Sequence, residues 1–222
     1  MTDPVSETPL GSSREETVIE WLQRNSTALI VTVAVVLVGT GVYWYHNRSV
    51  ELKDQAAERA LNTALQSVSA GNQALAQSDL QKVADQYGDT QSGIEAGMLL
   101  AQMDYNAGKF DDGIGVLQKL LNSSAADMDA ASLNGLIGDG QMQAKRPPAA
   151  AAAYQKAADA APSDADKAFQ LSKAARAYLA AGDSAHAKGI WQTLSKDEKN
   201  QGVAAEAKVR LGELEATPAT KG

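Results

Sequence analysis

Hydrophobic and polar positions divide the chain into two parts. From Thr27 to Tyr45 every residue is uncharged and most are aliphatic, and the run is about as long as the hydrocarbon core of a membrane is thick. Downstream of residue 50, small, apolar and turn residues instead recur at a fixed spacing. Ala and Leu are abundant there, which favours helix over strand. The pattern therefore predicts an all-α protein with one N-terminal transmembrane helix.

The anchor is predicted to occupy residues 25–47. Arg24 and Arg48 bracket the apolar run, and its end carries an aromatic cluster that is typical of a membrane–water interface, Tyr43, Trp44 and Tyr45. A cleaved signal peptide is an alternative, but the run is too long and no small-residue cleavage site follows it. A buried core helix is a second alternative, disfavoured because no charge interrupts the run.

Residues 1–24 are predicted to form a tail on the side of the membrane opposite the residues that follow the anchor. Residues 1–12 contain two prolines and small polar residues, whereas Ser13 and Glu16 match a capping box that would begin a short amphipathic helix. The charges leave the orientation open, because basic residues flank both ends of the anchor. These are Arg14 and Arg24 on one side, and Arg48, Lys53 and Arg59 on the other.

The rest of the chain repeats itself every 37 residues. The register is marked by the pairs Ala70-Gly71, Ala107-Gly108, Ala144-Lys145 and Ala181-Gly182, and by large apolar residues that are each followed by Gln, namely Leu80, Leu117, Tyr154 and Trp191. Small residues recur before and after each pair, at Ala64, Ala101, Gly138 and Ala175, and at Ala76, Gly113, Ala150 and Ala187. Such self-similarity is the signature of a solenoid. It predicts a domain over residues 48–216 with repeats at 57–93, 94–130, 131–167 and 168–204, a cap at 205–216 carrying Val209, Leu211 and Leu214, and a tail at 217–222.

Each repeat is predicted to contain two helices, A and B. The turn glycine, or Lys145 with Pro147 and Pro148 behind it, interrupts the chain between them. The small residues let helices A and B approach closely, and the large residue of helix B fills the space between neighbouring repeats. One helix pair cannot bury its apolar face alone, so stacking of the repeats would supply the core.

These positions resemble the tetratricopeptide repeat (TPR) family, most closely in the third copy with Ala150, Tyr154-Gln155-Lys156-Ala157 and Pro162. The period departs from the family's usual 34 residues, and the Trp and Tyr typical of helix A are mostly missing. A short tail, one early transmembrane helix and a TPR-like domain together resemble the bacterial ancillary SecYEG translocon subunit family. That resemblance implies an inner-membrane protein with a cytoplasmic N-terminus and periplasmic repeats. It also implies two partners, the SecYEG translocon and a membrane-anchored periplasmic chaperone of the prolyl-isomerase type.

Composition excludes several other functions. The net charge of −7, without a basic stripe, disfavours nucleic-acid binding. The chain has no cysteine, which excludes disulfides, thiolate metal sites and a cysteine nucleophile. The two histidines, His46 and His186, are too far apart in sequence to suggest a metal site. No cofactor, metal or small-molecule substrate is expected.

No catalytic motif stands out either. The segment 135–140 is rich in glycine but lacks the signature of a phosphate loop, and small residues on a closely packed helix A explain it better. Asp111-Asp112 and Asp127/Asp129 are placed to interact with helix dipoles. Asp183, Ser184 and His186 include the residue types of a catalytic triad, but neighbours on one helix cannot adopt its geometry. We therefore expect a protein that is not an enzyme.

Three hypotheses follow, of which the first is favoured: a membrane-tethered adaptor for protein–protein interactions, a self-associating organiser of cell-envelope or division assemblies, and an enzyme. In the adaptor, partners would bind in a groove formed by the A helices. Trp191 and Tyr154 are expected in the core. The TPR register places nine residues in the groove: Met98, Gln102, Tyr105, Asn106, Asp139, Met142, Gln143, Arg176 and Leu179.

Overall fold

A computed structural model describes Trp21 and residues 23–123 and 125–216. Its α-helices are α1 (Ser26–Ser69), α2 (Gln73–Tyr87), α3 (Gln91–Asn106), α4 (Phe110–Leu120), α5 (Ala130–Gln143), α6 (Pro147–Asp159), α7 (Asp164–Ala180), α8 (Ser184–Leu194) and α9 (Gln201–Ala216). A 3₁₀ helix at Ala126–Met128 precedes α5. The described residues contain no strand, so the prediction of an all-α fold is confirmed.

The chain divides into two compact units, Met1–Leu52 and Lys53–Gly222. In the first, an 18-residue window of α1 has a mean hydropathy of 2.0, and none of that window is buried. By length and composition this helix could cross a membrane. The side chains of Tyr43, Trp44 and Tyr45 are exposed to the same degree as the aliphatic residues before them. The capping box at Ser13 and Glu16 and the tail at 217–222 lie outside the described residues.

The second unit is the predicted solenoid. The end of α1, with α3, α5, α7 and α9, supplies the A helices, and α2, α4, α6 and α8 are the B helices. The large residue of each helix B is buried between its own helix A and the next one. Leu80, for example, packs with Leu61 and Ala64 of its own repeat and with Ala96 and Leu100 of the following repeat. The eight predicted small positions are all buried, as stacking of the repeats requires.

The turn between helices A and B has the same hydrogen bonds in every repeat. The amide of the turn residue donates to the carbonyl three residues before it, and the next amide donates to the carbonyl five residues before it. This pairing is the Schellman motif, which ends a helix with a residue in the left-handed region. Gly71, Gly108 and Gly182 adopt that region with φ of 72°, 76° and 79°, and Lys145 adopts it with φ of 58°.

Lys145 is therefore the one register residue with a side chain where the backbone favours glycine. A left-handed conformation costs an L-residue about 1–2 kcal/mol, and glycine avoids this cost. Glycine also makes the unfolded chain more flexible, which offsets part of the gain. Lys145→Gly should therefore increase the free energy of unfolding by about 0.5–1 kcal/mol. Chemical denaturation of both proteins measures this difference. Gly108→Ala is the matched control and should lower the free energy of unfolding. If Lys145→Gly is also destabilising, the side chain of Lys145 contributes more than its backbone conformation costs.

The C-terminal cap begins earlier than predicted, because α9 starts at Gln201 rather than at residue 205. Ala207 is buried against α7 and α8, with Leu211 and Leu214 partly buried beside it. Val209, which was expected to help cap the end, is instead 60% exposed. It lies on another side of α9 from the residues that contact Trp191.

Candidate protein-binding face

The A helices present one set of partly exposed side chains in every repeat, which we call the A-face. Three helix positions, spaced like 95, 99 and 102 on one side of a helix, recur at the 37-residue period. The first row contains Glu58, Glu95, Ser132, Phe169 and Glu206; the second contains Asn62, Leu99, Leu136, Lys173 and Arg210; the third contains Leu65, Gln102, Asp139, Arg176 and Glu213.

Hydrogen bonds and ion pairs link the A-face from helix to helix. Asp139 of α5 accepts a hydrogen bond from the hydroxyl of Tyr154 at 2.6 Å and pairs with Lys173 of α7 at 2.6 Å. Arg176 of α7 donates two hydrogen bonds to the carboxylate of Glu206 on α9, at 2.8 and 2.7 Å. These contacts hold the cations and carboxylates of α5, α7 and α9 in a fixed arrangement.

The tyrosines beneath the A-face are held in their neutral form. Burial raises the pKa of Tyr154, and its hydrogen bond to Asp139 raises it further. The pKa of Tyr105 is raised by burial as well, with a smaller contribution from the negative charge of Asp139. Both hydroxyls therefore act as hydrogen-bond donors at physiological pH and not as bases.

Four of the nine predicted groove residues are exposed: Gln102, Asn106, Gln143 and Arg176. Asp139 is half-buried in the network just described. Gln143 lies at a separate cavity of about 420 Å³ at the A–B turns, where its neighbours include Lys109, Asp111 and Arg146. The structure therefore brings Gln102, Asp139 and Arg176 into one row and leaves Asn106 and Gln143 at the ends of their helices.

The apolar members of the prediction are packed and not open. Tyr105 was expected on the open face but is only 6% exposed, and it belongs to the core with Ile94, Ile114 and Leu117. Met98, Met142 and Leu179 are partly buried against neighbouring core clusters. Placing Tyr105 in an open groove was wrong, because glycines in adjacent helices leave room for its ring. Met98, Met142 and Leu179 also contribute more to packing than was expected.

Sequence reasoning missed several members of the A-face. Phe169 is 54% exposed, and the ammonium group of Lys173 lies 5.6 Å from its ring centroid. Glu206 joins Arg176 to Ser172 and approaches Arg210. Lys173 lies 37 residues after Leu136 and 74 after Leu99. The repeat period would therefore have identified Lys173 once Leu99 and Leu136 had been assigned to the A-face.

The features considered for catalysis have structural roles. Gly135, Gly138 and Gly140 lie buried within α5, where added side chains would meet Gln170, Tyr154 and Tyr105 respectively. Asp183 caps α8 by accepting a hydrogen bond from the backbone amide of His186 at 3.1 Å. Its other carboxylate oxygen lies 2.6 Å from Nδ1 of the His186 ring. Ser184 takes no part in these contacts, and the His186 ring stacks on Tyr178.

The sequence model of a protein family, the tetratricopeptide repeat-like domain, matches residues 20–131, just over half of the chain. The chain belongs to this family. Among solved structures, it is similar to the crystal structure of the MamA protein, with 18% identity and a TM-score of 0.50 over 71% of this chain and 85% of that chain. At that identity the likeness concerns the fold alone. No curated protein matches the sequence. A TPR-like domain is generally a scaffold for protein partners, and neither match indicates an enzyme family.

Proposed function

We propose that this TPR-like protein is a membrane-tethered adaptor that binds other proteins through its A-face. The observation that supports it most directly is the combination of an unburied apolar window in α1 with a self-contained solenoid. This window is strongly apolar and none of it is buried within the protein, which suits insertion in a bilayer. The solenoid buries its own core and leaves polar side chains such as Gln102 and Arg176 in solvent.

The resemblance to the ancillary SecYEG translocon subunit family extends this proposal to a place and to partners. The N-terminus would lie in the cytoplasm and the repeats in the periplasm of an inner membrane. There the protein would link the Sec translocon to a membrane-anchored periplasmic chaperone. Tethering would raise the effective concentration of the domain near these membrane partners.

The proposed topology predicts which part of the chain a protease can reach. In spheroplasts, added protease should digest the repeat domain and leave a tag on the N-terminus protected. Immunoblotting against tags at both ends measures the two fragments, and lysed cells serve as the control in which both tags are lost. Protection of the repeat domain would show that it lies in the cytoplasm.

Photocrosslinking in native membranes tests the binding face. A photoreactive amino acid at Gln102 or Arg176, both exposed on the A-face, should crosslink to translocon subunits or to the periplasmic chaperone. The matched control is Gln118, which is exposed on helix B of the second repeat. Mass spectrometry identifies the products. Equal yields from Gln118 would exclude the A-face as the specific surface, and crosslinks only to a second copy of this chain would favour the self-associating organiser.

A further inference from the structure

The unpaired charge of the A-face is negative and lies at one end. Glu58 on α1 and Glu95 on α3 are exposed, and neither carboxylate has a hydrogen-bond or ion-pair partner among residues 53–123 and 125–216. The cations at the other end are already paired, since Lys173 contacts Asp139 and Arg176 contacts Glu206. A ligand of this face can therefore form new ion pairs most readily at Glu58 and Glu95.

An apolar path leads away from these carboxylates. Leu99 and Leu136 are half-buried against the core in consecutive A helices, and the exposed Phe169 follows on α7. In the described part of the second unit, Phe169 is the only exposed residue among the phenylalanines, tyrosines and tryptophans. The equivalent residues in other repeats are Glu95, Ser132 and Glu206, so stacking of the repeats does not require an aromatic group there.

We propose that the A-face binds an extended segment of a partner protein that carries basic residues at one end and a large apolar residue at the other. The basic residues pair with Glu58 and Glu95, and the apolar residue packs on Phe169. Neighbouring helices pack about 8–10 Å apart, so α3 and α7 are separated by about 20 Å. An extended chain covers that distance in about six residues. This inference rests on the proposed protein-binding function and specifies the chemistry of the partner.

Two synthetic peptides test the proposal on the full chain held in lipid nanodiscs. The first carries two lysines about six residues before a leucine and a phenylalanine, and the second has glutamates in place of the lysines. Both carry a fluorophore, and anisotropy titrations give their dissociation constants. We expect the lysine peptide to bind at least about tenfold more tightly, which corresponds to about 1.4 kcal/mol. A combined Glu58→Lys and Glu95→Lys variant should reverse this preference, and Phe169→Ser should weaken both peptides.

The control is Glu198→Lys, which makes one such Glu→Lys change at an exposed residue outside the A-face and should leave the preference intact. Unchanged thermal melts would show that the exposed substitutions do not unfold the domain. Equal binding of the two peptides, tighter binding of the glutamate peptide, or an equal loss in Glu198→Lys would overturn the proposal. If Gln102 and Arg176 still crosslink to membrane partners in that case, the adaptor function stands and only this assignment of partner chemistry fails. Loss of the native crosslinks would instead refute the adaptor function.

Discussion

Replacement of Trp191 by alanine should lower the free energy of unfolding of the repeat domain by about 3–5 kcal/mol. The side chain is 0% exposed and packs among Ala168, Ala175 and Ala207, so it joins the fourth repeat to the C-terminal cap. The fully buried neighbours are mostly alanines, whose methyl groups cannot extend into the space that the indole ring would leave. The substitution should leave a large cavity at the last junction of the solenoid. Chemical denaturation of both proteins measures the resulting loss of stability.

Two further variants test the assignment of Trp191 to the core. The indole nitrogen of Trp191 is buried and has no hydrogen-bond partner within the described residues. Trp191→Phe should therefore cost less than Trp191→Ala, because it retains much of the volume and removes an unsatisfied donor. Phe169→Ala, at an exposed aromatic position, should change stability by no more than about 0.5 kcal/mol. A loss at Phe169 as large as that at Trp191 would contradict the division into core and A-face.

Helix B could be assigned from the sequence more securely than helix A. Leu80, Leu117, Tyr154 and Trp191 lie at one spacing and are all buried, because each fills the same junction between consecutive repeats. On helix A, the position shared by Val68, Tyr105, Met142 and Leu179 ranges from exposed at Val68 to buried at Tyr105. Its environment depends on the residues of the adjacent repeat, which a single period does not encode. Gln102, Asp139 and Arg176 could be grouped from the sequence because they share one register position.

The pairing of Gly138 with Tyr154 illustrates the same limit. The first two repeats combine alanine with leucine at these positions, whereas the third combines glycine with tyrosine. A methyl group on Gly138 would overlap the Tyr154 ring, so the larger side chain on α6 depends on the smaller one on α5. The period showed that both positions belong to the core, but only the packed structure shows that they compensate for each other.

Tyr105→Ala should also lower the free energy of unfolding by about 3–5 kcal/mol, as large buried aromatic side chains do. An added methyl group on Gly113 would lie 2.6 Å from the Tyr105 ring, and one on Gly140 would overlap its hydroxyl group. The equivalents of Gly140 in the other repeats are Gln66, Met103 and Ala177, so this space exists at one junction only. Alanine at residue 105 would leave this space empty.

Tyr105→Phe distinguishes packing from hydrogen bonding at the same residue. It keeps the ring and removes the single hydrogen bond from the hydroxyl to the carbonyl of Leu136, which is 3.2 Å long. The expected cost is about 0.5–1.5 kcal/mol, well below that of Tyr105→Ala. Denaturation midpoints of the two variants measure the difference, with Gln102→Ala as a control on the exposed side of the same helix. If Tyr105→Ala proves as mild as Gln102→Ala while crosslinking to partners is lost, Tyr105 belongs to the binding face after all.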